Sequence, residues 1–304
     1  MNFLITGGAG SVGRDLTASL LDKGHRVRVL DKHAEAFSPV HDRYLELFQG
    51  RLEDVRLVQE ALRGVDTVIH LAWSFSEDPA VLLESDLKGH VGLLDACTAA
   101  NISRFFYAST AVVYGTPVHV PITEDAPCLV EDARKPFYAI AKLMAEKLAL
   151  AYWKLKGLPV VVFRFWWSYG KTIGGRHLRD MITLAQTGQP LTVPEGAGGS
   201  FLDHDDLAHA LLLAVQEQAS IGQIFNLATV YLEWRDIAQI IIKLADSSSR
   251  LEVVPAREWR GAQFLADPWQ LSAAKAERLF AYRSLFTPST ARQRLERALS
   301  QPAS

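Results

Sequence analysis

Two cysteines in a chain of 304 residues, Cys97 in a helical pattern and Cys128 in a proline-flanked loop, are too few for a disulfide framework and lack metal-ligand spacing. They read as unpaired thiols in a reducing compartment. No His/Cys/Asp/Glu cluster has the spacing of a metal site either, so catalysis is expected to need no metal. An excess of one charge is also missing: 32 Lys and Arg against 34 Asp and Glu give a net charge of −2, without a basic run that would track a phosphate backbone. Nucleic acid is therefore not expected as a partner. No apolar run reaches the length of a membrane span, and Met1 leads into Phe3-Leu4-Ile5 without a basic n-region or a small-residue cleavage site. The expectation is a soluble, cytoplasmic protein with no membrane partner.

What is present is ordinary globular composition, 49% hydrophobic and 22% charged, with ample material for a large core. Short apolar runs alternate with helical patterns up to about residue 165, the rhythm of stacked βαβ units. The strands expected are Phe3–Thr6, Arg26–Leu30, Leu45–Gln49, Thr67–His70, Phe105–Ala108 and Val160–Phe165, with helices over Val12–Lys23, Val55–Arg63, Ala80–Ala100 and Tyr138–Lys156. The fold class is α/β, a Rossmann-type doubly wound parallel sheet with a smaller C-terminal substrate-binding lobe. Residues 1–165 form the dinucleotide-binding domain and 166–304 mainly the lobe, with a segment near 206–228, including a strand at Ile224–Leu227, returning to the main sheet. Ser289–Leu299 reads as a polar helix on the surface.

Thr6-Gly7-Gly8-Ala9-Gly10-Ser11-Val12-Gly13 lies between a strand and a helix, the setting in which closely spaced glycines bind phosphate. Gly7, Gly10 and Gly13 (or Gly8, Gly10 and Gly13) permit a tight turn, and the N–H groups of Ser11 and Val12 point at a pyrophosphate at the positive helix end. Asp31, at the end of the next strand, is placed to accept the hydroxyls of an adenosine ribose. Its charge would repel a 2′-phosphate, so NAD is the expected cofactor, a preference that nearby Lys32 and Arg51 soften.

Tyr138 and Lys142, four residues apart on one helix face, pair a phenol with an ammonium. The cation is expected to lower the phenol's pKa and ready it for proton exchange with a substrate hydroxyl. Thr110 follows the strand Phe105–Ala108 at the carboxyl edge, where such sheets bind ligands, and supplies a second hydroxyl. Trp73, Phe75, Trp166 and Trp167 follow two other strands and are candidates to stack on a flat or ring-shaped substrate. Arg176, with His177 and Arg179, could meet an anionic group. His70, His204 and the pair Asp205-Asp206 read as structural.

The ordered set Thr6-Gly7 with Gly10 and Gly13, Asp31, His70-Leu71-Ala72, Ser109-Thr110 with Tyr114-Gly115, Tyr138 with Lys142, and Arg164 with Tyr169-Gly170 closely resembles the extended short-chain dehydrogenase/reductase family, which includes NAD-dependent sugar epimerases and dehydratases. The resemblance implies that Leu71 and Ala72 line the cofactor's ribose and Leu52 its adenine. Trp73, Ala108 and Phe165 join Tyr138 and Lys142 around the rest of the cofactor, and Thr110, Tyr138 and Lys142 match the catalytic trio. It also implies a homodimer through the helices Ala80–Ala100 and Tyr138–Lys156.

Several positions depart from the family pattern. Gly50-Arg51 replaces Gly-Asp, Asp86 replaces an Asn, Trp167 replaces an Asn, and Lys171 replaces a Pro. Gly199-Ser200-Phe201-Leu202-Asp203 lacks the arginine usually offered to a substrate diphosphate. Ala111 and Val112 stand where dehydratases carry an Asp-Glu pair, which disfavours elimination. The expected function is an NAD-dependent oxidoreductase or epimerase acting on a secondary hydroxyl of a sugar or nucleotide sugar through a keto intermediate. Two alternatives are a dehydrogenase or reductase of a less polar hydroxyl substrate, of the hydroxysteroid or flavonol-reductase kind, and a non-catalytic NAD-sensing protein.

Overall fold

The computed structural model describes residues 1–37 and 43–301. The strands are β1 (Asn2–Thr6), β2 (Arg26–Asp31), β3 (Leu45–Gln49), β4 (Thr67–His70), β5 (Arg104–Ala108), β6 (Val160–Arg164), β7 (Trp167–Tyr169), β8 (Leu191–Pro194), β9 (Gly198–Asp203), β10 (Gln223–Asn226), β11 (Val230–Glu233), β12 (Leu251–Val254) and β13 (Pro268–Trp269). Seven of them form one parallel sheet in the order β10-β6-β5-β4-β1-β2-β3. Runs such as Val160-Val161-Val162-Phe163 are apolar at every position because helices cover both faces, and all of β4 and β6 is buried. β1 pairs with β2 on one side and β4 on the other. The strand order reverses there, which opens a crevice beyond the carboxyl ends.

The helices are α1 (Ser11–Asp22), α2 (Val55–Ala61), α3 (Lys88–Ala99), α4 (Pro136–Lys156), α5 (Arg176–Gln186), α6 (His204–Gln216), α7 (Trp234–Leu244), α8 (Ala274–Phe280) and α9 (Pro288–Ser300). Alternate strand residues feed two separate cores. Phe3, Phe106 and Phe163 meet Leu16, Leu211 and Phe280 from α1, α6 and α8. On the other face, Leu4, Val68 and Phe105 meet Val58, Leu94 and Ala145 from α2, α3 and α4. α4 starts with a proline in its first turn and stops at Gly157, whose φ of 74° closes the helix end. The helix expected over Ala80–Ala100 is interrupted: Pro79–Val81 is α-helical, Leu82–Leu87 widens into a π turn, and α3 follows. The wide turn carries Asp86 to the cofactor groove described below.

In the second lobe, β9 pairs with β7, β11 and β13, and β8 with β12. Leu178, Met181, Ile237, Ile241 and Leu295 pack together beneath them. The C-terminal helix corrects the sequence reading: Ala291, Leu295, Ala298 and Leu299 are buried, so α9 is amphipathic and part of this core. Its Arg294 also donates to Asp203 at 2.6 and 3.1 Å and to Asp205 at 2.6 Å. Among the described residues no helix is long and apolar enough to cross a membrane.

Candidate active site

The glycine turn is built by backbone contact. Gly7 has φ +73°, and a Cβ there would lie 2.6 Å from the amide nitrogen of Ala72. A Cβ on Gly13 would lie 2.5 Å from Cα of Gly8. Gly10 caps α1 without a side chain, so the opening N–H groups of Ser11 and Val12 have no acceptor within the helix. Asp31 ties β2 to the turn by accepting from the N–H of Ala9 at 3.0 Å and of His33 at 2.9 Å. A groove of about 420 Å³ runs from Gly7 and Gly10 past Asp31, Leu52 and Ala72 to Asp86. Leu71 and Trp73 line it too, with Lys32 and Arg51 exposed at its rim. Arg14, which follows Gly13 directly, lines the groove as well and was not anticipated.

Tyr138 and Lys142 lie on the buried face of α4. Lys142 Nζ donates to the Ala108 carbonyl at 2.7 Å and sits over the rings of Trp73 at 4.3 Å and Tyr107 at 4.6 Å. Burial brings this ammonium down to about 7, against the opposing pull of the Glu146 and Asp86 carboxylates. Thr110 Oγ1 lies near the Tyr138 phenol and accepts from the N–H of Val112 at 3.2 Å. Burial raises the phenol's pKa, the nearby Thr110 hydroxyl works against the rise, and Asp86 and Glu77 add to it. The lowered phenol expected from the Tyr/Lys spacing is therefore corrected for the protein alone. The four-residue spacing does place both groups together, but Lys142 directs its charge at Ala108 and two aromatic rings.

The loop after β4 closes over Tyr138. Phe75, at φ +57°, stacks on its ring at 5.7 Å and 17°. Lys135 Nζ holds the Phe75 carbonyl at 3.0 Å, and Glu77 accepts the N–H of Tyr138 at 3.1 Å. Asp86 accepts from the N–H of Ser74 at 3.1 Å and from its hydroxyl at 2.5 Å. Phe165 packs beside the groove-side core and accepts the N–H of Ala111 at 2.9 Å.

Near Lys142, His70 and His90 stack with centroids 5.1 Å apart. His70 pairs with Thr6 at 2.7 Å and His90 with the Ala145 carbonyl at 3.1 Å, which leaves His70 Nε2 and His90 Nδ1 unpartnered. Burial holds both imidazoles neutral, with His90 pushed down to about 3. Both folded values lie below the unfolded value of about 6.5, so the unfolded chain takes up protons first as the pH falls. Stability is then fully present above about pH 6.5 and lost toward pH 3, by up to about 1.4 kcal/mol per pH unit for each histidine. Calorimetry should show Tm falling with acidification through this window and a shallower fall in His90→Gln. Equal slopes for the two proteins would contradict this assignment.

On the other side of Tyr138 lies a pocket of about 160 Å³ walled by Val112, Trp166, Trp167, Phe264 and Trp269. Trp166 stacks on Trp269 at 6.2 Å and 12° and meets Trp167 edge-on at 5.3 Å. Arg134 and Lys135 also line it, and neither was anticipated, because no motif marks them. Of the four candidate aromatics, Trp166 and Trp167 reach this pocket, whereas Trp73 lies in the groove and Phe75 covers the phenol from the groove side. Arg176 stays outside: its side chain is exposed and lies 3.7 Å from Asp180. His204 is bound to Asp15 at 2.7 Å and Ser168 at 3.2 Å, and Asp206 to Thr229, Ser284 and Leu285, which makes both framework groups.

The profile of the NAD dependent epimerase/dehydratase family matches residues 3–228. A UDP-glucose 4-epimerase of Corynebacterium glutamicum is 30% identical over 75% of this chain and 75% of its own length. A UDP-N-acetyl-alpha-D-glucosaminuronate decarboxylase of Bacillus cytotoxicus is 30% identical over 83% of each chain. Among solved structures, the dTDP-glucose 4,6-dehydratase DesIV of Streptomyces venezuelae, with NAD and TYD bound, matches at TM-score 0.79 and 25% identity, over 98% of this chain and 96% of that one. The chain spans only 62% and 54% of the length of two further curated relatives, each 31% identical.

Proposed function

This chain belongs to the NAD dependent epimerase/dehydratase family and is an NAD-dependent enzyme, and from that premise we propose that it oxidises a secondary hydroxyl of a sugar-like substrate through a keto intermediate. The observation that carries this reading is the position of Tyr138, which lines the aromatic pocket and stacks on Phe75 of the glycine-turn groove, with the Thr110 hydroxyl near its phenol. The groove suits a dinucleotide: Ser11 and Val12 would hold the pyrophosphate, Asp31 the adenosine ribose, and Leu52 the adenine. NAD supplies the hydride acceptor when bound. In its phenolate form Tyr138 takes the hydroxyl proton and Thr110 hydrogen-bonds the same oxygen; because burial alone raises the phenol's pKa, that phenolate depends on the positive charge that NAD⁺ would bring to the groove. Release of the ketone makes the net reaction a dehydrogenation, and reduction on its other face makes it an epimerisation. Ala111 and Val112 offer no acid or base for eliminating water.

The exposed stripe Phe137, Ile140 and Met144 on α4, beside exposed Leu83, supports a homodimer through this face. The free thiols of Cys97 and Cys128 suit a cytoplasmic setting.

The test is turnover of a panel of sugars, nucleotide sugars and hydroxysteroids in heavy water with NAD⁺. Either NADH accumulates, or the inverted carbon keeps its original hydrogen, because hydride leaves and returns without meeting solvent. Deuterium at the inverted carbon would instead indicate proton abstraction and overturn the reading.

A further inference from the structure

We propose that the pocket beside Tyr138 takes a small, ring-shaped hydroxy acid, with its carboxylate held by Arg134, rather than a nucleotide diphosphate sugar. This rests on the assignment of Tyr138 as the reacting base and goes beyond it to the substrate.

Size is the first argument. The pocket holds about 160 Å³. That is room for about one sugar ring, and it falls below the roughly 300–1,000 Å³ of sites for larger ligands. A larger cleft of about 530 Å³ exists elsewhere, at the edge strand β10, but it shares no lining residue with the pocket and is lined by Glu124 and Asp125 together with Lys275 and Arg278.

The walls leave little scope for enlargement. A Cβ on Gly199 would overlap the ring of Trp166, and a Cβ on Gly175 would overlap the ring of Trp167, so each indole occupies the space a side chain would take. Trp234 braces both rings, at 5.8 and 5.9 Å, and is met edge-on by His177 at 4.8 Å. Burial keeps that imidazole neutral, down to about 4, so it adds no cation for a phosphate.

Charge is the third argument. The guanidinium of Arg134 lies 4.5 Å over the Phe264 ring, and among the described residues no carboxylate forms an ion pair with it. Stacking fixes the plane of the fork while leaving its N–H groups for a ligand, and a planar fork matches one carboxylate in two parallel hydrogen bonds. Lys135 gives one N–H to the Phe75 carbonyl and keeps its charge, so it adds to the attraction for an anion while Arg134 supplies the fork.

Calorimetric titration of the NAD-loaded protein tests this with glucuronate, galacturonate and quinate as ring acids, glucose as the uncharged match to glucuronate, and UDP. At least one ring acid should bind saturably, more than about tenfold tighter than glucose if it is glucuronate, and UDP should not compete. Arg134→Gln should weaken that acid by about tenfold or more while NAD affinity stays unchanged, and Arg134→Lys should recover only part. The proposal is overturned if UDP binds more tightly than every acid, if no acid binds, or if Arg134→Gln changes nothing. Tyr138→Phe separates the two readings: turnover that survives it removes Tyr138 as base, whereas acid binding that survives it leaves the pocket assignment intact.

Discussion

Replacing Tyr138 by Phe is expected to lower kcat by about 10²- to 10⁴-fold, the range for loss of a positioned acid–base group, with NAD affinity within a few-fold of wild type. The substitution removes one oxygen. The remaining ring keeps its stack on Phe75 and its place on the buried face of α4, so neither groove nor pocket should move. Thr110 then keeps its bond from Val112 and loses only the phenol. Steady-state kinetics together with a fluorescence titration of NAD would separate chemistry from binding. A kcat within tenfold of wild type would mean that another group moves the proton.

Breaking the ion pair beneath the site should have the largest effect on stability. Arg164 at the end of β6 donates to Glu146 on α4 at 2.6 and 2.9 Å, with both side chains almost fully buried. Burial works against the guanidinium charge, and the bonds to Glu146 more than offset it. Glu146→Ala would strand that charge and remove the acceptor of the Ser109 hydroxyl, at a cost of about 3–5 kcal/mol. For a chain of this size the loss in Tm is of order 10 °C. Thr110 follows Ser109, so surviving protein should also lose activity. Replacing both partners by Met should restore much of the stability, because no lone charge remains buried. A Glu146→Ala protein that melts within about 1 °C of wild type would rule out this role for the pair.

The parallel sheet was legible because its strands are covered on both faces and appear as unbroken apolar runs, as at Val160–Phe163. The same signal fails in the second lobe, where β7 owes its pairing to β9, some thirty residues on, and has only one fully buried residue. α9 was misread for another reason. Its four apolar residues at i, i+4, i+7 and i+8 form a complete stripe, but three arginines, a glutamine and a glutamate between them lower its overall hydropathy.

The site divides in the same way. The glycine turn and Asp31 could be read because they lie within one βαβ unit at short, regular spacing, although the contact of Gly7 with Ala72 lies outside it. Arg134, Phe264 and Trp269 could not, because segments more than a hundred residues apart bring them together and no spacing records that. The Tyr138–Lys142 spacing gave the shared helix face but not the direction of the lysine's tip, which the Ala108 carbonyl decides.

The proposed chemistry needs one junction, in which a dinucleotide in the groove meets Tyr138 at the mouth of the aromatic pocket. A crystal structure of the protein grown with NAD tests it most directly. The predicted result is a pyrophosphate on the N–H groups of Ser11 and Val12, an adenosine ribose on Asp31, and a nicotinamide ring beside Tyr138 and Lys142. A dinucleotide bound outside the groove, or bound there with its nicotinamide turned away from Tyr138, would contradict it.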